Sequence, residues 1–260
     1  MRFFIRLAYN GANFHGWQTQ PNAVSVQETI EKALSKVLSR PMDIVGAGRT
    51  DTGVHAREMY AHFDIDDLRM PPERLIASLN NMCGKDIAIY DIFRVSDDTH
   101  ARFSATARTY HYYVTYIKDP FTKSLAWFSP TKLDLERMNN AAQLLLGTSD
   151  FTSFAKLHSD AKTNICKVTD AIWTPLNNNI FELNNSIIEC GESGIMFTIR
   201  ADRFLRNMVR AVVGTLVDVG RGKLSIDDFQ NIINKQDRCS AGTSMPAHAL
   251  FLWKVEYPDF

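Results

Sequence analysis

Over residues 2–95 the spacing of apolar side chains switches between two periods, in an order that leaves few folds open. Phe3, Ile5, Leu7 and Tyr9 alternate with Arg2, Phe4, Arg6 and Ala8, the period of a strand. Val26, Ile30, Ala33, Leu34, Val37 and Leu38 then recur at helical spacing. Ser25 and Glu28 open that run as a capping box, and Pro41 follows its end. A short strand over residues 42–47 leads into a glycine-rich loop, after which Met59, Ala61, Phe63 and Ile65 alternate again. Pro71-Pro72 opens a second helix running to Asn81, and residues 86–95 form another strand. The order β-α-β-β-α-β predicts the ferredoxin-like split βαβ pattern, an antiparallel sheet with helices on one face.

The second half has similar grammar. Residues 108–117 predict a strand with Tyr110 and Tyr112 on one face, and residues 133–146 a helix ended by Gly147. Strands follow over 166–174, 180–189 and 194–201, with Asn177-Asn178-Asn179 as a polar turn. Residues 203–219 predict a helix closed by Gly220 and Gly222; a short helix covers 225–234 and a strand 250–255. The expected fold class is therefore α+β: two ferredoxin-like (RRM-like) βαββαβ units with antiparallel sheets and the active-site cleft between them. The N-terminal domain is expected over residues 1–103 and the C-terminal domain over 104–260, without a long linker. A chain of 260 residues has room for two such units.

Composition excludes several function classes. Apolar residues make up 45% and charged residues 22%, so a sizeable core is available. No apolar run approaches the roughly 20 residues that span a bilayer, and the first residues lack a signal peptide's apolar region. No membrane association and a cytoplasmic location are expected. Cys83, Cys166, Cys190 and Cys239 are far apart, and no H-E-x-x-H spacing occurs. Neither a metal nor a cofactor is expected. The net charge is zero, so a nucleic-acid partner requires the basic residues to be sorted onto one surface.

The glycine-rich loop concentrates chemistry. Gly46-Ala47-Gly48-Arg49-Thr50-Asp51-Thr52-Gly53-Val54-His55-Ala56 places a carboxylate beside a guanidinium and an imidazole. Glycine tolerates positive φ and close backbone approach, and polar residues between two strands suit a loop aimed at a ligand. On residue chemistry alone, a lone Asp in a glycine-rich turn is more often a turn former than a catalytic group.

The GRTDTGVHA stretch resembles the signature of the TruA family of tRNA pseudouridine synthases, with Thr52 where that family usually has Ala. Further blocks resemble the family in order: Tyr9-Asn10-Gly11 with Phe14-His15-Gly16-Trp17-Gln18, residues 101–110 (ARFSATARTY), Asp150-Phe151-Thr152-Ser153-Phe154, and Phe204-Leu205-Arg206-Asn207-Met208-Val209-Arg210. The resemblance implies an isomerase that breaks the C1′–N1 bond of uridine, turns the base and joins C1′ to C5. Its substrates would be uridines at tRNA positions thirty-eight to forty, in the anticodon stem-loop, and it would act as a homodimer on tRNA.

It also implies roles for residues. Asp51 is the catalytic carboxylate, ionised at neutral pH because a free Asp has a pKa of about 3.9; attack at C1′, addition at C6 and assistance to a glycal route all fit it. Arg210 matches the arginine near that carboxylate and Tyr110 the active-site tyrosine, able to stack on uracil and take part in proton transfer. Leu250 matches a position that packs on the base, although Ala249 stands where the family usually has Gly. On the expected helix Arg203, Arg206 and Arg210 share a face, so Arg203 and Arg206 suit phosphates; a solvated basic stripe is the alternative. Arg49, Arg57, Arg102, Arg108 and Gln18 border the motifs and suit RNA contact. Arg2 and Arg6 read better as surface ion pairs.

Two other functions fit parts of the chain. A non-catalytic RNA-binding protein with tandem RRM-like units lacks a good RNP1 match here. A phosphotransferase using the glycine loop as a phosphate cradle lacks the G-K-[ST] sequence.

Overall fold

A computed structural model describes residues 1–157, 162–176 and 193–258. The strand expected over 180–189 and the turn at 177–179 lie outside the described residues. In chain order the regular elements are β1 (Arg2–Tyr9), α1 (Val26–Leu38), β2 (Val45–Gly46), β3 (His55–Asp64), α2 (Pro72–Met82), β4 (Ile87–Val95) and β5 (Ala107–Thr115). Then come β6 (Trp127–Phe128), α3 (Leu135–Gln143), β7 (Val168–Leu176), β8 (Gly194–Ala201), α4 (Met208–Gly220), α5 (Ile226–Lys235) and β9 (Leu250–Glu256). The chain is a mixed α+β protein. It divides into two compact units, Met1–Arg108 with Phe251–Phe260, and Thr109–Leu250.

In the first unit β1 lies between β4 and β3 and is antiparallel to both. β2 pairs antiparallel with the far half of β3, through Val45 and Gly46. β9 runs parallel to the near half, opposing Phe251 to His55 and Leu252 to Ala56. The alternation in β1 is read out on both faces. Phe3, Ile5 and Leu7 lie in register with Phe63, Ala61 and Met59, all buried. On the other face Phe4 meets Tyr60, His62, Phe93 and Tyr257 at ring distances of 5.4–6.3 Å. That aromatic cluster explains why Phe4 is buried on a face it shares with Arg2 and Arg6.

Ser25 caps α1 by accepting from the Glu28 N–H at 3.2 Å. The Glu28 carboxylate pairs with Lys32 one turn on, where the sequence suggested a reciprocal capping box. The turn chemistry of Ser39, in the left-handed region at φ 55°, ends the helix before Pro41 is reached. The strand expected over 42–47 narrows to two residues, because Ile44 N–H and Met42 N–H are bound by Glu31 and Ser35 of α1 rather than by a strand.

In the second unit β8 lies between β5 and β7, and β6 pairs parallel with β5. α3 packs on β7 and on α4. α4 is buried almost throughout, from Met208 to Gly220, which fits a helix enclosed by other elements rather than one with a wide solvent face. It begins at Met208, not at Arg203. Asn207 precedes it at φ 65°, a left-handed residue that breaks the helical path. Arg203 and Arg206 therefore do not share a helical face with Arg210, and the basic stripe of the sequence reading does not exist. α3 is likewise shorter than the expected 133–146.

Candidate active site

The loop carrying Asp51 is built by the block at residues 9–18. The Val54 N–H donates to the Asp51 carbonyl at 3.1 Å, closing a four-residue turn. Gly53, third in that turn, has φ 79°, the region that a type II turn requires there and that L side chains avoid. Thr50 is anchored twice: its hydroxyl bonds to the Tyr9 hydroxyl at 2.8 Å, and its carbonyl accepts from the Trp17 N–H at 3.2 Å. The Phe14 carbonyl accepts from the Gly53 N–H at 3.3 Å. Gly11 packs so closely that a Cβ there would lie 2.0 Å from the Val54 carbonyl oxygen. The two sequence blocks are thus one object: the first supplies the floor on which the second makes its turn.

His55 belongs to that floor. It is buried, its Nδ1 accepts from the Gly11 N–H at 3.0 Å, and its ring stacks on Phe251 at 4.6 Å. Because Nδ1 is an acceptor, the neutral ring carries its proton on Nε2. Asp51 is half-buried; Arg49 and Thr52 on either side are exposed.

The arginines of this unit divide by what they touch. Arg108 is half-buried and donates to the carbonyls of Ala47, Arg102 and Ala105 at 3.1, 2.6 and 2.9 Å. It ties the start of the Asp51 loop to the 102–105 segment. Arg57, exposed, donates to the Tyr90 hydroxyl at 3.3 Å. Arg102 is exposed with its guanidinium 5.5 Å from the Phe103 ring centre, and Gln18 is exposed. Arg2 forms a two-point pair with Asp64, at 2.8 and 2.7 Å, as expected for a structural ion pair.

In the second unit Tyr110, half-buried on β5, meets Phe204 edge to face at 5.0 Å. Tyr112, two residues on and fully buried, donates its hydroxyl to the Pro246 carbonyl at 3.2 Å. Burial pushes the Tyr112 phenol well above its ordinary range, so it stays neutral. Arg210 lies in the first turn of α4. Its Nε donates to the Met245 carbonyl at 2.6 Å, and its own carbonyl accepts from the Met245 N–H at 3.0 Å. Leu250 is buried, and its N–H donates to Ala247 in a short 3-10 turn. Arg203 is half-buried and Arg206 exposed. Among the described residues, no cluster of three His, Cys, Asp or Glu side chains suits a metal ion, and no helix is long and apolar enough to cross a membrane.

A family model described as tRNA pseudouridine synthase matches residues 7–104 and 141–258. The chain belongs to the tRNA pseudouridine synthase family. It is 55% identical over 259 residues to tRNA pseudouridine synthase A of Porphyromonas gingivalis, covering 99% of this chain and 98% of the relative. It is 52% identical over 258 residues to the protein of the same name from Bacteroides fragilis, covering 99% and 97%. The Exiguobacterium sibiricum protein of that name is 33% identical over 258 residues, covering 99% and 97%.

Two departures from the family pattern sit without backbone strain. Ala249 lies in the 3-10 turn Ala247–Ala249 and is absent from the positive-φ residues, so a glycine is not needed there. Thr52 is exposed, and the left-handed position of its turn falls on Gly53. The sequence reading missed the segment from Asp237 to Pro246, which meets both Arg210 and Tyr112. A Gly-Thr-Ser run among short polar residues reads as an ordinary connection. Its one signal was Pro246, which ends the run just before the Leu250 strand.

Proposed function

We propose that this member of the tRNA pseudouridine synthase family isomerises uridine to pseudouridine at positions thirty-eight to forty of the tRNA anticodon stem-loop. Asp51 is the carboxylate that carries the chemistry. The supporting observation is the construction of its turn: Tyr9, Gly11, Phe14 and Trp17 all hold the Asp51 loop through short backbone and hydroxyl contacts. A carboxylate carried on a backbone held this firmly loses less entropy when it meets a sugar carbon or a base. Arg210 keeps a carboxylate ionised and oriented when paired with it. Tyr110 stacks on the extracted base and takes part in the proton transfer from C5. Leu250 packs on the base. Arg49, Arg57, Arg102, Arg203, Arg206 and Gln18 contact the tRNA backbone. Arg108 supports the loop from behind through its bonds to three carbonyl oxygens.

We further propose that both halves are ferredoxin-like units. The order β4-β1-β3-β2 in the first supports this, as do β5, β8 and β7 with α3 and α4 in the second. The protein acts in the cytoplasm as a homodimer; light scattering that gives a monomer mass at working concentrations would count against the dimer.

The deciding assay is release of tritium from unmodified tRNA labelled at uridine C5. Formation of the C1′–C5 bond expels that hydrogen to solvent, while N1 gains a proton. With EDTA present, the parent protein releases tritium and Asp51→Asn does so at least about a thousand-fold more slowly. Equal rates would remove Asp51 from the chemistry; tight tRNA binding without release would make the protein an RNA binder.

A further inference from the structure

Arg210 is oriented by a segment that lies outside its own helix. The Nε bond to the Met245 carbonyl fixes one edge of the guanidinium plane, and the return bond from the Met245 N–H to the Arg210 carbonyl fixes its backbone. The position of Met245 therefore sets the direction of the Arg210 side chain. What sets Met245 is a small polar network centred on the Ser244 hydroxyl. Arg238 donates to that oxygen at 2.9 Å and to the Gly242 carbonyl at 3.2 Å. Asn207, the left-handed residue before α4, donates to the same hydroxyl at 2.6 Å.

The network is seated on the helix itself. The Gly242 N–H donates to the Thr215 hydroxyl at 3.0 Å, and the Thr215 hydroxyl donates to the Ala211 carbonyl at 2.8 Å. Gly214 lets the strap lie against α4: a Cβ there would come within 1.9 Å of the Thr243 carbonyl oxygen. At its base, the Asp237 N–H donates to the buried Ser153 hydroxyl at 3.1 Å, and Asp237 caps the turn Arg238–Ser240. Arg238 bridges two points of the strap, Gly242 and Ser244, which lie three residues and one residue before Met245. A planar guanidinium with several donors suits that role in a way a single ammonium does not.

We infer that Arg238 is a positioning residue for Arg210, acting through Ser244 and Met245. The inference rests on the role proposed above for Arg210. Loss of Arg238 leaves the Gly242 carbonyl and one acceptor site of Ser244 without this donor, and the strap moves by a fraction of an ångström or more. Misplacement on the scale of about 1 Å costs up to about a hundred-fold in rate.

The test is tritium-release kinetics on Arg238→Met, Arg238→Lys, Ser244→Ala, Arg210→Lys and the double variant Arg238→Met with Arg210→Lys, beside thermal melts and tRNA binding. Arg238→Met is expected to lower kcat at least about ten-fold, with KM for tRNA within about two-fold of the parent. Arg238→Lys recovers part of the loss, since an ammonium satisfies one of the two acceptors. On the Arg210→Lys background, Arg238→Met lowers kcat little further, because both act through one group. Parent kcat in Arg238→Met overturns the inference, and so do losses that multiply in the double variant. If Arg238→Met does not fold, Ser244→Ala carries the test, with the same split between kcat and KM expected. Parent-like kcat in Arg210→Lys, or no release by the parent, overturns it at a different point, in the role of Arg210 or in the proposed function.

Discussion

His62 shows how one residue links packing to acid stability. It is buried against Phe4 and His100, and its Nδ1 accepts from the Ala101 N–H at 3.1 Å. Burial first, and Arg2 second, hold its pKa down to about 4. A histidine whose folded pKa is depressed contributes stability that is present above its unfolded value of about 6.5 and is lost as pH falls toward 4. His62→Gln keeps an acceptor for Ala101 and removes the titration. Between pH 6.5 and 4 the parent melting temperature should fall more than that of His62→Gln; parallel curves would exclude His62 as a source of acid sensitivity. Arg108 gives the second residue-scale test. Adjacent to a motif, it read as a phosphate contact, because sequence shows a charge without its partners. With three carbonyl oxygens on its guanidinium, Arg108→Gln should cost at least about 2 kcal/mol of stability, measured by urea unfolding. An unchanged midpoint would return Arg108 to the surface role.

At the scale of elements, most helices and strands were legible because their apolar periods are clean. The boundaries were less so, and each miss has a local cause. α4 begins five residues late because Asn207 adopts φ 65°, a conformation that Asn tolerates but does not announce. That shift mattered for function, since it dissolved the shared face of Arg203, Arg206 and Arg210. α4 also carries a sign test. Helix propensity alone predicts that Gly214→Ala stabilises the protein by about 1 kcal/mol. The added Cβ would meet the Thr243 carbonyl oxygen at 1.9 Å, and overpacking of that kind costs about 1–3 kcal/mol. Gly214→Ala should therefore lower the unfolding free energy and, by lifting the strap, slow tritium release. Stabilisation in a calorimetric scan would show that the strap yields freely.

For the whole molecule, zero net charge means that affinity for tRNA depends on where the cations are, not how many there are. Removing an arginine that meets a phosphate should reduce the slope of log affinity against log salt by about 1. Arg49→Gln and Arg206→Gln, both exposed, are expected to do so in filter-binding titrations, while Arg108→Gln leaves the slope unchanged. A parent slope near zero would rule out a phosphate-tracking surface altogether. The sequence by itself determined the α+β class, the order of elements in the first half and the Asp51 loop, because those rest on local periodicity and on glycines within one short stretch. It did not determine what holds that loop or Arg210. Tyr9 meets Thr50 across 41 residues, Met245 meets Arg210 across 35, and Arg238 meets Ser244 across six. Such bonds exist only once the chain has folded back on itself, so tertiary structure alone decides them.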